Sequence, residues 1–341
     1  MKHVICLAVA SLIATSANAA EMKWSGSAGY RYEQTSVDNF TGAGAAGAAG
    51  QINNKAHGYR ANLGVSGGWE NVEWGVGVRT SNGSVANDDH VFANGASNFG
   101  IGFEQAWFRY VREFGSLDFS VTAGRQKNVF AYDSVSQNLF DNDVRFDGLG
   151  WQFKFGMFSL NAAQYTLGST AGSIAGANGS NVTRTDISDA LPSGQHLTYL
   201  FGIQPTMNWK FADDIEAMFG VGYYYWKDST NVNNIGGSNL VVPGTVAGTV
   251  PPGGTYALGD PRQWQFTTAW TLPYSLSFNG EFVMNKKSDF AGVELSRTAW
   301  SAGLTYGSLK KAHDFSVGYA YGNKGIASVI NRYSHEKFQA D

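Results

Sequence analysis

His196–Trp226 reads HLTYLFGIQPTMNWK, then FADD, then IEAMFGVGYYYW. In the first arm Leu197, Tyr199, Phe201, Ile203, Met207 and Trp209 share one parity. Thr198, Gly202, Gln204, Thr206 and Asn208 hold the other, and Leu200 breaks the pattern. In the second arm Ile215, Ala217, Phe219, Val221, Tyr223 and Tyr225 alternate with Glu216, Met218, Gly220, Gly222 and Tyr224. A period of two sustained along both arms predicts strands, and the short link Phe211–Asp214 predicts an antiparallel hairpin. The arms are about twice the length of an ordinary globular strand. Aromatics gather at both ends of the apolar face: Trp209 and Phe211 near the turn, Tyr199, Tyr223 and Tyr225 far from it. A tilted strand of about 9 to 11 residues spans a bilayer and carries aromatic belts at its two interfaces. The hairpin therefore reads as one slice of a transmembrane β-barrel.

The same alternation recurs along the chain. It appears around Trp24, Leu63, Val76, Phe108, Val121, Phe153, Leu160, Phe266, Phe278, Leu304 and Tyr319, and more weakly over Ser334–Gln339. Between Phe99 and Val111 the apolar parity changes, which a β-bulge near Glu104–Gln105 reconciles. The pattern predicts an all-β, antiparallel up-and-down barrel of about 14 strands, or 16 should two more lie beyond Asp341. Connections alternate between tight (Glu70–Asn71, Gly115–Ser116, Gly156, Phe211–Asp214, Pro273–Tyr274, Ser308–Lys311) and long (36–54, 80–98, 126–145, 168–195, 227–262). Such alternation is the layout of an outer-membrane barrel. Trp24, Trp69, Trp74, Trp209, Tyr274 and Tyr306 fall near the tight turns, as one aromatic girdle.

Composition agrees. The 341 residues are 14% aromatic and only 15% charged, with 43 glycines. A net charge of −3 argues against nucleic acid as a partner. Lys2, the apolar run Val4–Ala14 and Ala17-Asn18-Ala19 predict a signal peptide over 1–19 and a barrel domain over 20–341. The single cysteine, Cys6, would leave with that peptide, so no thiol chemistry is expected in the mature chain.

Charges on the predicted strands keep to the polar parity. Lys23, Arg31, Arg60, Glu73, Arg79, Arg109, Asp118, Lys154, Glu216, Glu281, Arg297 and Asp314 are the residues concerned. A lipid-facing Arg or Lys at mid-membrane costs about 2 to 4 kcal/mol, whereas a water-filled lumen tolerates it. These side chains, Lys23 and Asp314 aside, are the lumen-facing candidates.

Other motifs carry little. Gly42–Gly47 matches GxGxxG without a βαβ unit, and Gly64–Gly68 matches GxSxG without the following helix. Asp141-Asn142-Asp143 lacks the remaining ligands of a calcium loop. His57 and His196 are the candidates for an embedded hydrolase, a reading given little weight. No enzyme activity, cofactor or metal is expected.

With these features in place, Ala106–Tyr110 (AWFRY), Leu117–Gln126 (LDFSVTAGRQ) and Leu139–Gly148 (LFDNDVRFDG) resemble Gram-negative outer-membrane porins. The resemblance is strongest to the putative-porin family of predatory and related proteobacteria. It implies passive diffusion of small hydrophilic solutes and ions through a homotrimer in the outer membrane, in contact with lipid and lipopolysaccharide. Such barrels usually end in an aromatic residue; this chain ends Phe338-Gln339-Ala340-Asp341. By analogy the third long loop, 125–147, is the candidate inward-folded constriction. Arg125, Lys127, Asp133, Asp141, Asp143, Arg145 and Asp147 are the residues that would set its field. The alternatives are a substrate- or anion-selective channel, with Arg125, Lys127 and Arg145 as the anion site, and a surface adhesin on a barrel platform.

Overall fold

The computed structural model describes residues 22–40, 50–81, 90–91, 100–131, 138–141, 144–167, 199–227, 260–286, 296–308, 314–325 and 328–329. The strands are β1 (Lys23–Phe40), β2 (Gly50–Trp69), β3 (Val72–Ser81), β4 (His90–Val91), β5 (Gly100–Phe114), β6 (Leu117–Lys127) and β7 (Arg145–Phe155). They continue with β8 (Phe158–Thr166), β9 (Tyr199–Ala212), β10 (Ile215–Lys227), β11 (Arg262–Leu272), β12 (Leu276–Asn285), β13 (Thr298–Gly307) and β14 (Ser316–Lys324). One antiparallel sheet runs through all of them in chain order, with β4 alone off the path, paired to β2. Each long strand thus pairs with the long strands before and after it, the up-and-down order of the expected barrel wall.

The expected count of fourteen is met differently from the reading of the sequence. Thirteen long strands form the wall and the fourteenth is the two-residue β4. The last arm expected at Ser334–Gln339 and the signal peptide lie outside the described residues. The first long loop is shorter than its polarity implied, because β1 and β2 continue to Phe40 and from Gly50. The bulge is present: Gly77 faces Gln105 and Val78 faces Phe103, leaving Glu104 unpaired in the register.

Five of the tight turns fall where predicted, while the one expected at Ser308–Lys311 runs outside the described residues, and the glycines of two of them have a steric reason. Gly115 (φ 64°) and Gly156 (φ 56°) adopt the left-handed conformation that a side chain disfavours. A 3₁₀ turn at Pro273–Ser275 joins β11 to β12.

Alternation sorts the side chains onto two faces. One carries Trp24 (69% exposed), Phe103 (70%), Trp209, Phe266, Leu304, Tyr306 and Tyr319, all open to the surroundings. Near the tight turns Trp209 stacks on Phe211, which stacks on Trp270. Near the loop ends Tyr199 and Tyr225 each pack on Phe201, and Tyr223 on Trp264. These are the two aromatic belts of a lipid-facing surface. Trp74 departs from the expected girdle, buried over Gly67 on the paired strand.

The other face holds the only buried hydrophobic cluster among the described residues. Phe146, Tyr165, Leu200, Tyr224, Trp226 and Val283 of the wall pack there around Phe130, Leu139, Phe140 and Val144 from the link between β6 and β7. That link shows the sheet is curled. Flat, β7 and β13 would lie roughly 29 Å apart. Asn138 nonetheless reaches Ser301 on β13 only seven residues before Arg145 on β7. Seven residues span about 25 Å at full extension, and a turn closed by Val144 N–H donating to Asp141 O (3.1 Å) shortens them further. The clustered face is therefore the concave, inner one.

Candidate channel interior

Hydrogen bonds trace the inner face nearly strand by strand at the level of the β6–β7 link. Gln152 (β7) donates to Asn161 (β8), Asn161 to Gln204 (β9), and Gln204 to Gln265 (β11). Tyr224 (β10) donates its hydroxyl to Gln265, and Gln265 donates to Glu281 (β12) at 2.6 Å. The link plugs into this belt through its backbone. Ala131 N–H donates to Gln204 Oε1 (2.7 Å), whose Nε2 donates back to Ala131 O (2.9 Å). Asn138 N–H donates to Glu281 Oε2 (2.6 Å), and its amide to Ser301 Oγ (2.7 Å). Wall glycines make room: a Cβ at Gly202 would sit 2.2 Å from Phe130 Cζ, and one at Gly150 2.4 Å from Val129 Cγ1. Past β14, Ser328 also turns inward, its carbonyl accepting from Gln263.

The tight-turn end of the same face is different. Most of its charges stand in opposite-sign pairs across neighbouring strands, Glu73 with Arg109, Asp118 with Lys154 and Lys210 with Glu216, while Glu113 faces Asp118 from the other side as a second acid. Arg109 Nη1 lies 3.5 Å from Glu73, and Arg109 Nη2 donates to Ser120 at 3.2 Å. Asp118, Lys154, Lys210 and Glu216 are exposed to solvent space. Lys210 and Glu216 border a cavity of about 320 Å³ with Asn208, Met218, Ala269 and Thr271. Facing water at this end costs these charges little, because each has both solvent and an opposite charge beside it.

The lumen-facing candidates mostly fall on this inner parity. Arg60 stands two residues before Asn62 on β2, and Arg79 of β3 lies opposite Asn62, buried at 6%. Glu281 is buried under the link, and Lys324 on β14 feels the charges of both Asp141 and Glu281. Arg297 precedes β13, half-buried, its carbonyl accepting from Asn285 N–H. The side chain of Arg31 lies outside the described ones.

The constriction candidates do not gather inside the lumen, although the register sets Arg125 opposite Asp147 and Lys127 opposite Arg145. Asp133 and Asp143 lie outside the described residues, and Asp141 is buried in the link. Arg125 and Asp147 face each other in an ion pair of 3.2 Å, but on the outward parity beside Ala123 and Leu149. The inward neighbour of Arg125 is Gln126, which donates to Thr122 O and Gly148 O. Lys127 shares the outward parity, and Arg145 pairs with Glu104 at the bulge. The expected anion site of Arg125, Lys127 and Arg145 is therefore not assembled: strand alternation turns Arg125 out and an acid engages Arg145. Sequence reading also missed the belt amides and the apolar plug. Its clues were Leu200 and Tyr224, bulky residues on the wet parity that are both fully buried against the link.

A family model described as "putative porin" matches residues 49–241, more than half of the chain. The chain belongs to the putative-porin family. Among solved structures, this porin is similar to OprB of Pseudomonas putida in its high-pH structure. The TM-score is 0.51 at 13% identity over 89% of this chain and 74% of that one, a likeness of fold. A mutant form of Rh. blastica porin (TM-score 0.36, 12% identity, 90% and 96% covered) also aligns. So does the in-vitro folded OmpT of Vibrio cholerae (0.38, 12%, 89% and 89%). No curated protein matches. Family and fold together make the chain an outer-membrane porin, a channel for passive diffusion.

Proposed function

We propose that small hydrophilic solutes and ions pass through the part of the lumen that the β6–β7 link leaves open. The link over 128–144, the inner part of the candidate constriction 125–147, acts as the constriction by its bulk, and no reaction is catalysed. The observation that carries this reading is the seat of Phe130 and Asn138–Phe140 on the inner face of β7–β13. It fills that side of the lumen, while Arg60, Glu73, Arg109, Asp118 and Lys154 border the remainder. The cross-strand pairing of Glu73 with Arg109 and of Asp118 with Lys154 supports weak ion selectivity, since paired opposite charges largely cancel one another's field. The same pairing disfavours a strongly anion-selective channel.

Export through a cleaved 1–19 signal peptide and assembly as a homotrimer belong to the same proposal. OmpT of Vibrio cholerae is described in a trimer form. Single-channel recording in planar bilayers, with the reversal potential across a potassium chloride gradient, tests the function. Steady ohmic conductance with a reversal potential near zero is expected. A silent bilayer would overturn the channel, and a large reversal potential would overturn the weak selectivity.

A further inference from the structure

Three cations stand on adjacent strands at the loop end of the outer surface: Lys227 closing β10, Arg262 opening β11 and Lys286 just past β12. All three are exposed. None has an acidic partner among the described residues, unlike Arg125, Arg145 and Lys210, which do. Neighbouring strands are about 4.8 Å apart, so the three side chains can reach one group. The register sets Tyr225 opposite Arg262, whose guanidinium lies 5.5 Å from that ring, and Lys286 N–H donates to Arg262 O. The aromatic belt of Tyr199, Tyr223, Tyr225 and Trp264 places this cluster at the depth of lipid head groups.

Directly below it the outer surface is hollow. Phe266, Thr268 and Trp270 continue down β11 from Arg262, and Gly280 of β12 sits opposite Thr268. A trough of about 960 Å³ opens there, lined mainly by apolar groups, among them Phe219, Phe266, Phe282 and Trp300. From Arg262 to Thr268 the strand advances about 20 Å, the order of length of an extended acyl chain.

We propose that this surface is a binding site for a phosphate-bearing lipid of the leaflet on the loop side. Lys227, Arg262 and Lys286 hold the phosphate, and an acyl chain lies in the trough over Thr268 and Gly280. Unpaired cations at a water–lipid boundary attract an anion whose tail can bury apolar surface, and a free phosphate supplies only the first half. The site lies outside the lumen, so it stands or falls independently of conduction.

Native mass spectrometry of the full chain in neutral detergent, titrated with diphosphoryl lipid A, tests the proposal. Bound lipid is expected to survive detergent ejection. The triple variant K227Q/R262Q/K286Q should lower the affinity at least tenfold at unchanged β-sheet circular dichroism. Gly280→Phe, which fills the trough, should lower it several-fold with the cations intact, and phosphatidylcholine should bind more weakly than lipid A. Binding by the triple variant equal to that of the unaltered chain would overturn the site. Full displacement by millimolar inorganic phosphate would overturn the acyl seat.

Discussion

Gly202→Ala is the sharpest probe of the seated link. The added methyl would lie 2.2 Å from Phe130 Cζ and 2.8 Å from Tyr224 Cδ1. Real carbon contacts need well over 3 Å, so the Phe130 ring must retreat by more than an ångström. It has little room: Phe130 packs edge-on to Tyr224 at 4.8 Å between centroids and stacks on Phe140 at 5.9 Å. Overpacking of this kind costs about 1 to 3 kcal/mol. The wall strand is held by ladders on both sides, so the strain falls on the link. A shift of that size changes the seated-to-released ratio by roughly 5- to 150-fold at about 1.4 kcal/mol per decade. Single-channel recording should show larger or noisier conductance, and liposome swelling should admit larger sugars. In a Phe130→Ala background the nearer clash partner is gone and only the 2.8 Å approach to Tyr224 Cδ1 remains, so adding Gly202→Ala should change much less, a coupling that a double-mutant cycle reads directly. Equal conductance for G202A and the unaltered porin would refute the reasoning. So would an additive effect in the F130A background, since the methyl would then act through something other than the ring.

Four further outcomes follow from the same geometry. Glu281→Ala strands the buried Asn138 N–H and the Gln265 amide at about 1 to 3 kcal/mol each, so limited proteolysis within 128–144 should accelerate; Glu281→Gln, which keeps an acceptor oxygen, should accelerate it less. Arg109→Glu sets a second acid beside Glu73, and the reversal potential should move toward cation selectivity, whereas the neutral pair E73Q/R109Q should leave it near zero. Thr268 carries a buried hydroxyl without a hydrogen-bond partner on the outer face; Thr268→Val should raise resistance to urea unfolding by about 1 kcal/mol. Gln204→Ala removes both bonds to Ala131 but leaves the Phe130 ring in place, so it should open the channel less than Phe130→Ala does.

The fold was legible because a membrane barrel repeats one rule strand after strand. Charges such as Glu73 and Glu281 keep to one parity and rings such as Trp209 and Phe266 to the other, since the two faces meet different solvents. The turns at Gly115 and Gly156 and the bulge at Glu104 were equally local. The interior was harder to read. A wet-parity residue can face water or a third body, and its identity does not say which. Gln204 and Gln265 look like ordinary lumen polars until the link supplies Ala131 and Asn138. Phe130, Leu139 and Phe140 look like loop residues until the wall supplies Tyr224 and Leu200. Arg125 failed for a different reason: it was assigned by its place in a loop, although strand alternation continues to Lys127 and turns Arg125 outward.

The competition between polar and apolar contacts at that seat can be settled by its reference state. When the link withdraws, water enters, so each released amide exchanges one partner for another. Such hydrogen bonds contribute net only about 0.5 to 1.5 kcal/mol apiece. Phe130, Leu139, Phe140 and Val144 have no such substitute, and burying each contributes about 1.5 to 3 kcal/mol. The apolar plug therefore supplies most of the seating free energy. The amide belt sets its register: Gln204 recognises Ala131 through both backbone groups, and Glu281 fixes Asn138 seven residues further on. A lumen wall built only of charges would repel such a plug, and one built only of rings would let it slide. The alternation of Gln265 with Tyr224 and of Glu281 with Val283 along one concave face gives a seat that is both adhesive and addressed.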